Sequence, residues 1–410
     1  MSDKTILIVG TYDTKDDELG FLASVICDQG GQVLTMDVSV LGDPSNPTDY
    51  SKHDVAKEGG SSIEAAIASN DENYAMQMMA AGAAQLTARL HSQGVFDGMI
   101  VLGGTMGTDL ALDVCSALPL GVPKYIVSTV SFSPLIPAER LAADTQMILW
   151  AGGLYGLNSV CKASLSQAAG AVLGAARAAS APDRDKPLVG MTSLGKSALK
   201  YMVALKPALE ERGFEVAVFH ATGMGGRAFE SLAAHGAFAC VFDFCTQELS
   251  NHVHGSNITA GPGRLTNAGL NGIPQLVAPG CYDLVDIVGW EPLPEKWVDH
   301  PMHAHNRLLT SIVLNQEERK LVARAHSAQL AKAKGPVAML LPSRGLGEWD
   351  REGAQLHDAD GLQVFLDELE QTLPPHVEVH EIDGHINDPI FAEYALSVFD
   401  SWCFEGRIQR

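Results

Sequence analysis

Short apolar runs that end in glycine or small polar residues, and lead straight into helical patterns, recur along the whole chain. A chain punctuated in this way is constrained to stack α and β layers. The first instance sets the pattern: Ile6-Leu7-Ile8-Val9 is short and wholly apolar, as a strand buried on both faces requires. GTYDTK follows directly at 10–15, then a helical pattern through Phe21, Leu22, Val25 and Ile26, then a second apolar run at 32–38. These segments make a βαβ unit.

The alternation continues. An Ala/Met-rich stretch at 63–90 reads as one or two helices with a break near 69–72. A third strand at 96–102 ends in GGTMGT, a helix follows through Leu112 and Val114, and an apolar run at 125–127 leads into Ser128-Thr129. A helix is expected at 159–179. The stretch 181–187, with two prolines and alternating charges, is the linker candidate. Beyond it, strands are expected at 188–192, 214–219, 237–242, 275–278, 337–340 and 377–382. Helices are expected at 195–212, 223–234, 316–334, 361–372 and 389–404. The fold expected is α/β, with two Rossmann-like, doubly wound domains of mainly parallel sheet at 1–181 and 187–410.

Length supports the division, because 410 residues exceed what one core usually organises. An apolar share of 46% and a charged share of 19% describe a globular protein. The formal charge of −21, with no basic run, opposes nucleic acid and anionic lipid as partners, so an anionic ligand needs a local cradle. Seven cysteines without a CxxC pair fit reduced thiols. Neither a signal peptide nor a run of about 20 apolar residues is visible, so a cytoplasmic location is expected.

Three loops at strand ends carry the chemistry. In the first, Gly10 lets backbone amides approach an anion at a helix start, while Thr11, Thr14 and Lys15 add donors. Asp13 is suited to cap the helix, accept from a ligand hydroxyl or hold Mg²⁺. In the second, Gly103, Gly104, Thr105, Gly107 and Thr108 form a glycine-rich turn that is neither a Walker A loop nor GxGxxG. Asp37, ending the second strand, stands where an acidic residue often holds a ribose hydroxyl, although a capping role fits it equally. In the third, Gly223, Gly225, Gly226 and Arg227 offer another anion cradle.

The last third adds His305, Asn306, Arg344, His385 and Asp388. A histidine beside an aspartate suits proton transfer, and an arginine suits a carboxylate substrate. The competing reading of Asp388-Pro389 is a helix N-cap followed by proline at the first helical position. The pairs His252/His254 and His303/His305 have the spacing of metal ligands, but HPMHAHN contains proline and lacks strand alternation. No metal site is therefore assigned.

Taken in order, GTYDTK, GGTMGT, GMTSLGKSAL, FHATGMGGRAFE, AGPGRL, HAHNRLLT and HINDPIFA resemble the uncharacterised bacterial, fungal and plant family of the plant tobamovirus-resistance protein's ATP-binding N-terminal region. The resemblance spans nearly the whole chain. It implies two Rossmann-like domains, self-association as a homo-oligomer and binding of ATP with Mg²⁺. The glycines of the first two loops match the family, whereas Met106 and Phe132 stand where it usually has glycine. Gly345, Asp350, His385, Asn387 and Asp388 match in the second half.

The resulting expectation is a nucleotide-binding protein, with ATP and Mg²⁺ at the first-domain loops. The alternative is a hydrolase or lyase acting on a small anionic oxo-acid or ester in a cleft between the domains. There, Arg227 or Arg344 would hold the carboxylate and His305 or His385 would move protons. A regulatory protein is a third reading, without a partner motif to support it.

Overall fold

The computed structural model describes residues 3–153, 155–180 and 185–409. The chain forms two compact units that divide between residues 182 and 183. Residues 181–184 of the linker expected at 181–187 lie outside the described residues.

The first unit runs β1 (Thr5–Gly10), α1 (Tyr12–Asp28), β2 (Gln32–Asp37), α2 (Lys52–Glu58), α3 (Ile63–Ala68) and α4 (Glu72–Ser92). It continues with β3 (Gly98–Gly103), α5 (Thr105–Ser116), β4 (Lys124–Ser128), β5 (Gln146–Leu149) and α6 (Ser159–Ala178). All pairings are parallel, in the order β2-β1-β3-β4-β5. Strand periodicity explains the two-sided core. Ile6 and Ile8 pack with Leu22, Leu165 and Val172 of α1 and α6, while Leu7 and Val9 pack on the other face with Met79 and Leu86 of α4 and Leu110 of α5.

The break expected near 69–72 falls between α3 and α4. Asn70 takes a left-handed φ of 50°, and the Asp71 side chain accepts from the amides of Asn73 and Tyr74 to start α4. The Ala/Met face of α4 is buried inside this unit at Ala75, Met79, Ala83 and Leu86. That face therefore serves the chain's own core.

The second unit runs β6 (Leu188–Ser193), α7 (Lys200–Glu211), β7 (Glu215–His220), α8 (Met224–Ala234), β8 (Cys240–Cys245), α9 (Gln247–Val253) and α10 (Asn267–Leu270). It continues with β9 (Gln275–Gly280), β10 (Leu284–Val288), β11 (Met302–Ala304), β12 (Leu309–Val313) and α11 (Gln316–Leu330). β13 (Val337–Pro342), α12 (Ala359–Thr372), β14 (Val377–Ile382) and α13 (Pro389–Phe404) complete it. Its parallel sheet has the order β14-β13-β9-β8-β6-β7. Read from the opposite edge, the strands follow the same second-first-third-fourth order as in the first unit.

Several elements differ from the sequence expectation. The helix expected at 195–212 starts only at Lys200, because Leu194 and Ala198 close a β-bridge first. The strand expected at 237–242 lies at Cys240–Cys245. The antiparallel sheet β10-β12-β11 was not anticipated, and it makes Met302–Ala304 of HPMHAHN an edge strand. Pro301 immediately precedes β11, where a missing N–H interrupts no ladder within the strand. Five of the seven thiols are buried and all are free. Among the described residues, no helix is long and apolar enough to cross a membrane.

Candidate functional site

In the first unit, α1 packs on one face of the sheet and α5 on the other. The chain thus leaves the neighbouring strands β1 and β3 in opposite directions, and this point of reversal is where open α/β sheets leave a crevice. A cavity of about 730 Å³ lies there. Gly10, Thr11, Asp13, Thr14 and Lys15 line it from the β1 loop, and Gly103, Gly104, Thr105 and Gly107 line it from the β3 loop.

The two loops approach in different ways. Gly103 lies against α5 so closely that a Cβ there would sit 2.5 Å from the Cα of Gly107. The lack of a side chain at Gly103 therefore allows the start of α5 to press onto the strand. Gly104 occupies the N-cap position without a capping side chain. The first amides of α5 consequently present a positive helix end at the cavity. At α1, by contrast, the amides of Tyr12 and Asp13 are taken by Asp37 Oδ1 at 3.2 Å and Ser39 Oγ at 3.1 Å.

Asp37 does not line the cavity. It is 1% exposed and also accepts from the Ser39 amide and hydroxyl, so it ties the β2 loop to the start of α1. This is the capping alternative rather than a ribose contact. Thr108 is likewise withdrawn, since its hydroxyl donates to the Gly104 carbonyl at 2.7 Å and shares a 2.6 Å hydrogen bond with Ser128 Oγ. Asp13 Oδ2 accepts from the Gly42 amide at 3.1 Å. Lys15 lines the cavity from a kink in α1, its ammonium 5.5 Å from the Trp150 ring centre.

Sequence reading missed the opposite wall. Val40, Ile67, Met76 and Met79 give the cavity an apolar side, with Asp71 and Glu72 at its edge. Their common signal is weak, because they belong to a loop and two helices that carry no motif. Among the described residues, no group of three or more His, Cys, Asp or Glu side chains is arranged to hold a metal. Any Mg²⁺ would thus rely on ligand phosphates plus one or two carboxylates, as that ion commonly does.

The glycine cradle of the second unit is filled from within. Glu248 Oε1 accepts from the amides of Gly223 and Gly226, and a Cβ on Gly226 would lie 1.9 Å from the other carboxylate oxygen. The expected ligand contacts of Gly223 and Gly226 are therefore made by the chain's own carboxylate. Gly225 approaches the His220 carbonyl so closely that a Cβ would lie 1.9 Å from it. Arg227, expected to grip a carboxylate substrate, is buried on α8.

Behind Glu248 lies a buried charge network. Arg264, 0% exposed, binds Glu248 at 2.8 Å, Asp243 at 2.5 and 2.6 Å, and Glu230 at 3.3 Å. Thr192 of β6 donates to Asp243 at 2.8 Å, so the network spans β6 and β8. Burial raises the carboxyl of Glu230 to about 7 and also raises that of Glu248, against the pull of Arg264.

The expected proton-transfer groups are also engaged. His385 is 1% exposed; Nε2 lies 2.8 Å from the Gly347 carbonyl and 3.2 Å from Asp350, while Nδ1 meets the Asn387 amide and Arg351. Both ring nitrogens are therefore occupied by structural partners. Asp388 stands at the N-cap of α13, yet its carboxylate turns back to the His385 amide at 3.0 Å and to Arg351 at 2.9 Å. Arg344 pairs bidentately with exposed Asp383. Asn306 accepts from the amides of Leu308 and Leu309 and holds a turn, while exposed His305 lies with its ring 5.7 Å from that of Trp349.

Comparison with known proteins places this geometry in a family. The model described as "Uncharacterised protein family (UPF0261) N-terminal domain" matches residues 4–181, and the corresponding C-terminal domain model matches 186–403. A UPF0261 protein of Brucella melitensis is 54% identical over 98% of this chain and 96% of its own length. One from Clostridium tetani is 35% identical over 95% of this chain and 96% of its own. The ToMV resistance protein Tm-1 of Solanum lycopersicum is 28% identical over 97% of this chain and 55% of its own length. Among solved structures, a UDP-N-acetylglucosamine 2-epimerase matches at 10% identity and a TM-score of 0.25, over 68% of this chain and 79% of that one. A likeness that slight carries no argument.

Proposed function

The chain belongs to the UPF0261 family, and on that premise we propose that its first domain binds a nucleotide, ATP with Mg²⁺, in the crevice between β1 and β3. The observation that carries the reading is the convergence on one cavity of two loops far apart in sequence, 10–15 and 103–107. The resemblance of those loops to a family whose plant member has an ATP-binding region supports ATP as the ligand.

Each wall has a task in this reading. The start of α5 holds phosphate oxygens with backbone amides, Lys15 adds positive charge, and the side formed by Val40, Ile67, Met76 and Met79 covers the base. Asp13 is the carboxylate suited to Mg²⁺, which neutralises phosphate charge in a rim that also carries Asp71 and Glu72. The proposal concerns binding and assigns no turnover. The hydrolase or lyase alternative loses support at His385, Arg344 and the Gly223 cradle, which already have internal partners.

Calorimetry with ATP, ADP and GTP in the presence of Mg²⁺ tests the reading. ATP is expected to bind, and Lys15→Ala to weaken it about tenfold, the scale of one charge-assisted contact. Absence of heat at millimolar ATP would contradict it.

A further inference from the structure

A second cavity, of about 500 Å³, adjoins the first and shares Glu72, Met76, Thr105 and Met106 with it. Its other wall comes from α5 and the loop after β4, including Leu112, Val130, Leu135 and Ile136. This wall is apolar and partly open, with Leu135 68% and Met106 52% exposed. Contiguous exposed apolar surface in a concavity is characteristic of a binding site.

The charges in this cavity favour one sign of ligand. Its lining includes one cation, Arg140, whose guanidinium already binds the carboxylates of Asp109 and Asp113 and the Asp109 carbonyl. Glu72 has no ion-pair partner among the described residues. An anion would therefore meet the exposed Glu72 carboxylate and an arginine already paired, whereas an ammonium group would complement Glu72. The same loop holds Phe132 at a φ of 58° with its side chain 80% exposed. The left-handed conformation is unfavourable for phenylalanine, and at this exposure little internal packing offsets it.

We propose that this cavity binds a small apolar amine, its hydrocarbon part against Leu112, Leu135 and Met106 and its ammonium group towards Glu72. The site goes beyond the nucleotide reading and does not depend on it. Glu72, Met76, Thr105 and Met106 line both cavities, so an amine and a nucleotide would occupy neighbouring chambers.

The probes are 2-phenylethylamine and its carboxylate counterpart 3-phenylpropionate, titrated into the full chain without nucleotide at low salt and followed by ligand-observed NMR. The amine is expected to bind roughly fivefold more tightly than the carboxylate, and Glu72→Gln to abolish that preference. Leu135→Asn, at an exposed position confined to the second cavity, should weaken the amine while leaving ATP binding unchanged. Equal binding of the two probes, no binding of the amine, or wild-type amine affinity in both variants would overturn the proposal. ATP binding is measured separately, so failure of one site is distinguishable from failure of the other.

Discussion

The two domains repeat one strand order but treat the same place in it differently. In the first, the space over the carboxyl ends of β1 and β3 is a cavity of about 730 Å³ with an uncapped helix start at its edge. In the second, the corresponding region around β6 and β8 holds Arg264 with Asp243, Glu248 and Glu230, and Glu248 sits on the glycine amides. The glycine-rich turn of the second domain holds negative charge supplied by the chain itself, and on the reading proposed above the turn of the first domain would hold a ligand's. Whether the charge comes from a ligand or from the chain depends on what a distant segment places there.

The largest effect should come from removing the cation of the filled region. Arg264→Met leaves three buried carboxylates without their shared partner, at an expected cost of about 3–5 kcal/mol. Hydrogen exchange of the β8 amides should accelerate accordingly. Unchanged protection would show that the network is not what holds this region together.

A smaller effect should follow pH. Burial raises Glu230 and Asp283 to about 7 and Asp286 to about 6, whereas the same groups titrate near 4.5 and 3.8 when unperturbed. The folded domain therefore binds more protons than the unfolded chain. That stability is present at low pH and is lost as pH rises through 7. His326, buried and held down to about 3, is neutral in both states above its ordinary range and adds little slope there. From pH 6.5 to 8, protection of the β8 and β9 amides, after correction for intrinsic exchange, should fall by on the order of 1 kcal/mol. A rise would reverse the sign of the argument.

The smallest effect is expected on the surface. Arg344 and Asp383 are 65% and 79% exposed and their pairing is screened by solvent, so Arg344→Ala should leave the denaturation midpoint essentially unchanged. It should also leave ATP binding untouched. A large loss of either in calorimetry or denaturation would return Arg344 to functional consideration.

The fold was legible in sequence where burial left a simple imprint. Ile6 to Val9 lie on both faces of a covered sheet and form a continuous apolar run, and Asp71 marks the start of α4 by capping it. The short edge strand β5 was less visible because Gln146 and Leu149 at its ends are exposed. β11 was hidden by Pro301 and by polar residues that an edge position tolerates. In the first domain, loop residues on both sides of the reversal announced the cavity through glycine and hydroxyl content. In the second, GMGGR looked equivalent, since the occupant Glu248 lies 22 residues beyond Gly226 and Arg264 another 16 beyond that. Such a partnership depends on tertiary structure and leaves no local pattern.

Hydrogen exchange of the full chain with and without ATP and Mg²⁺ tests the contrast between the domains most directly. Added protection is expected across 10–15 and 103–108, with none at 223–227, where Glu248 already occupies the amides. Protection at 223–227 without any at 10–15 and 103–108, or no change in either domain at millimolar ligand, would contradict it.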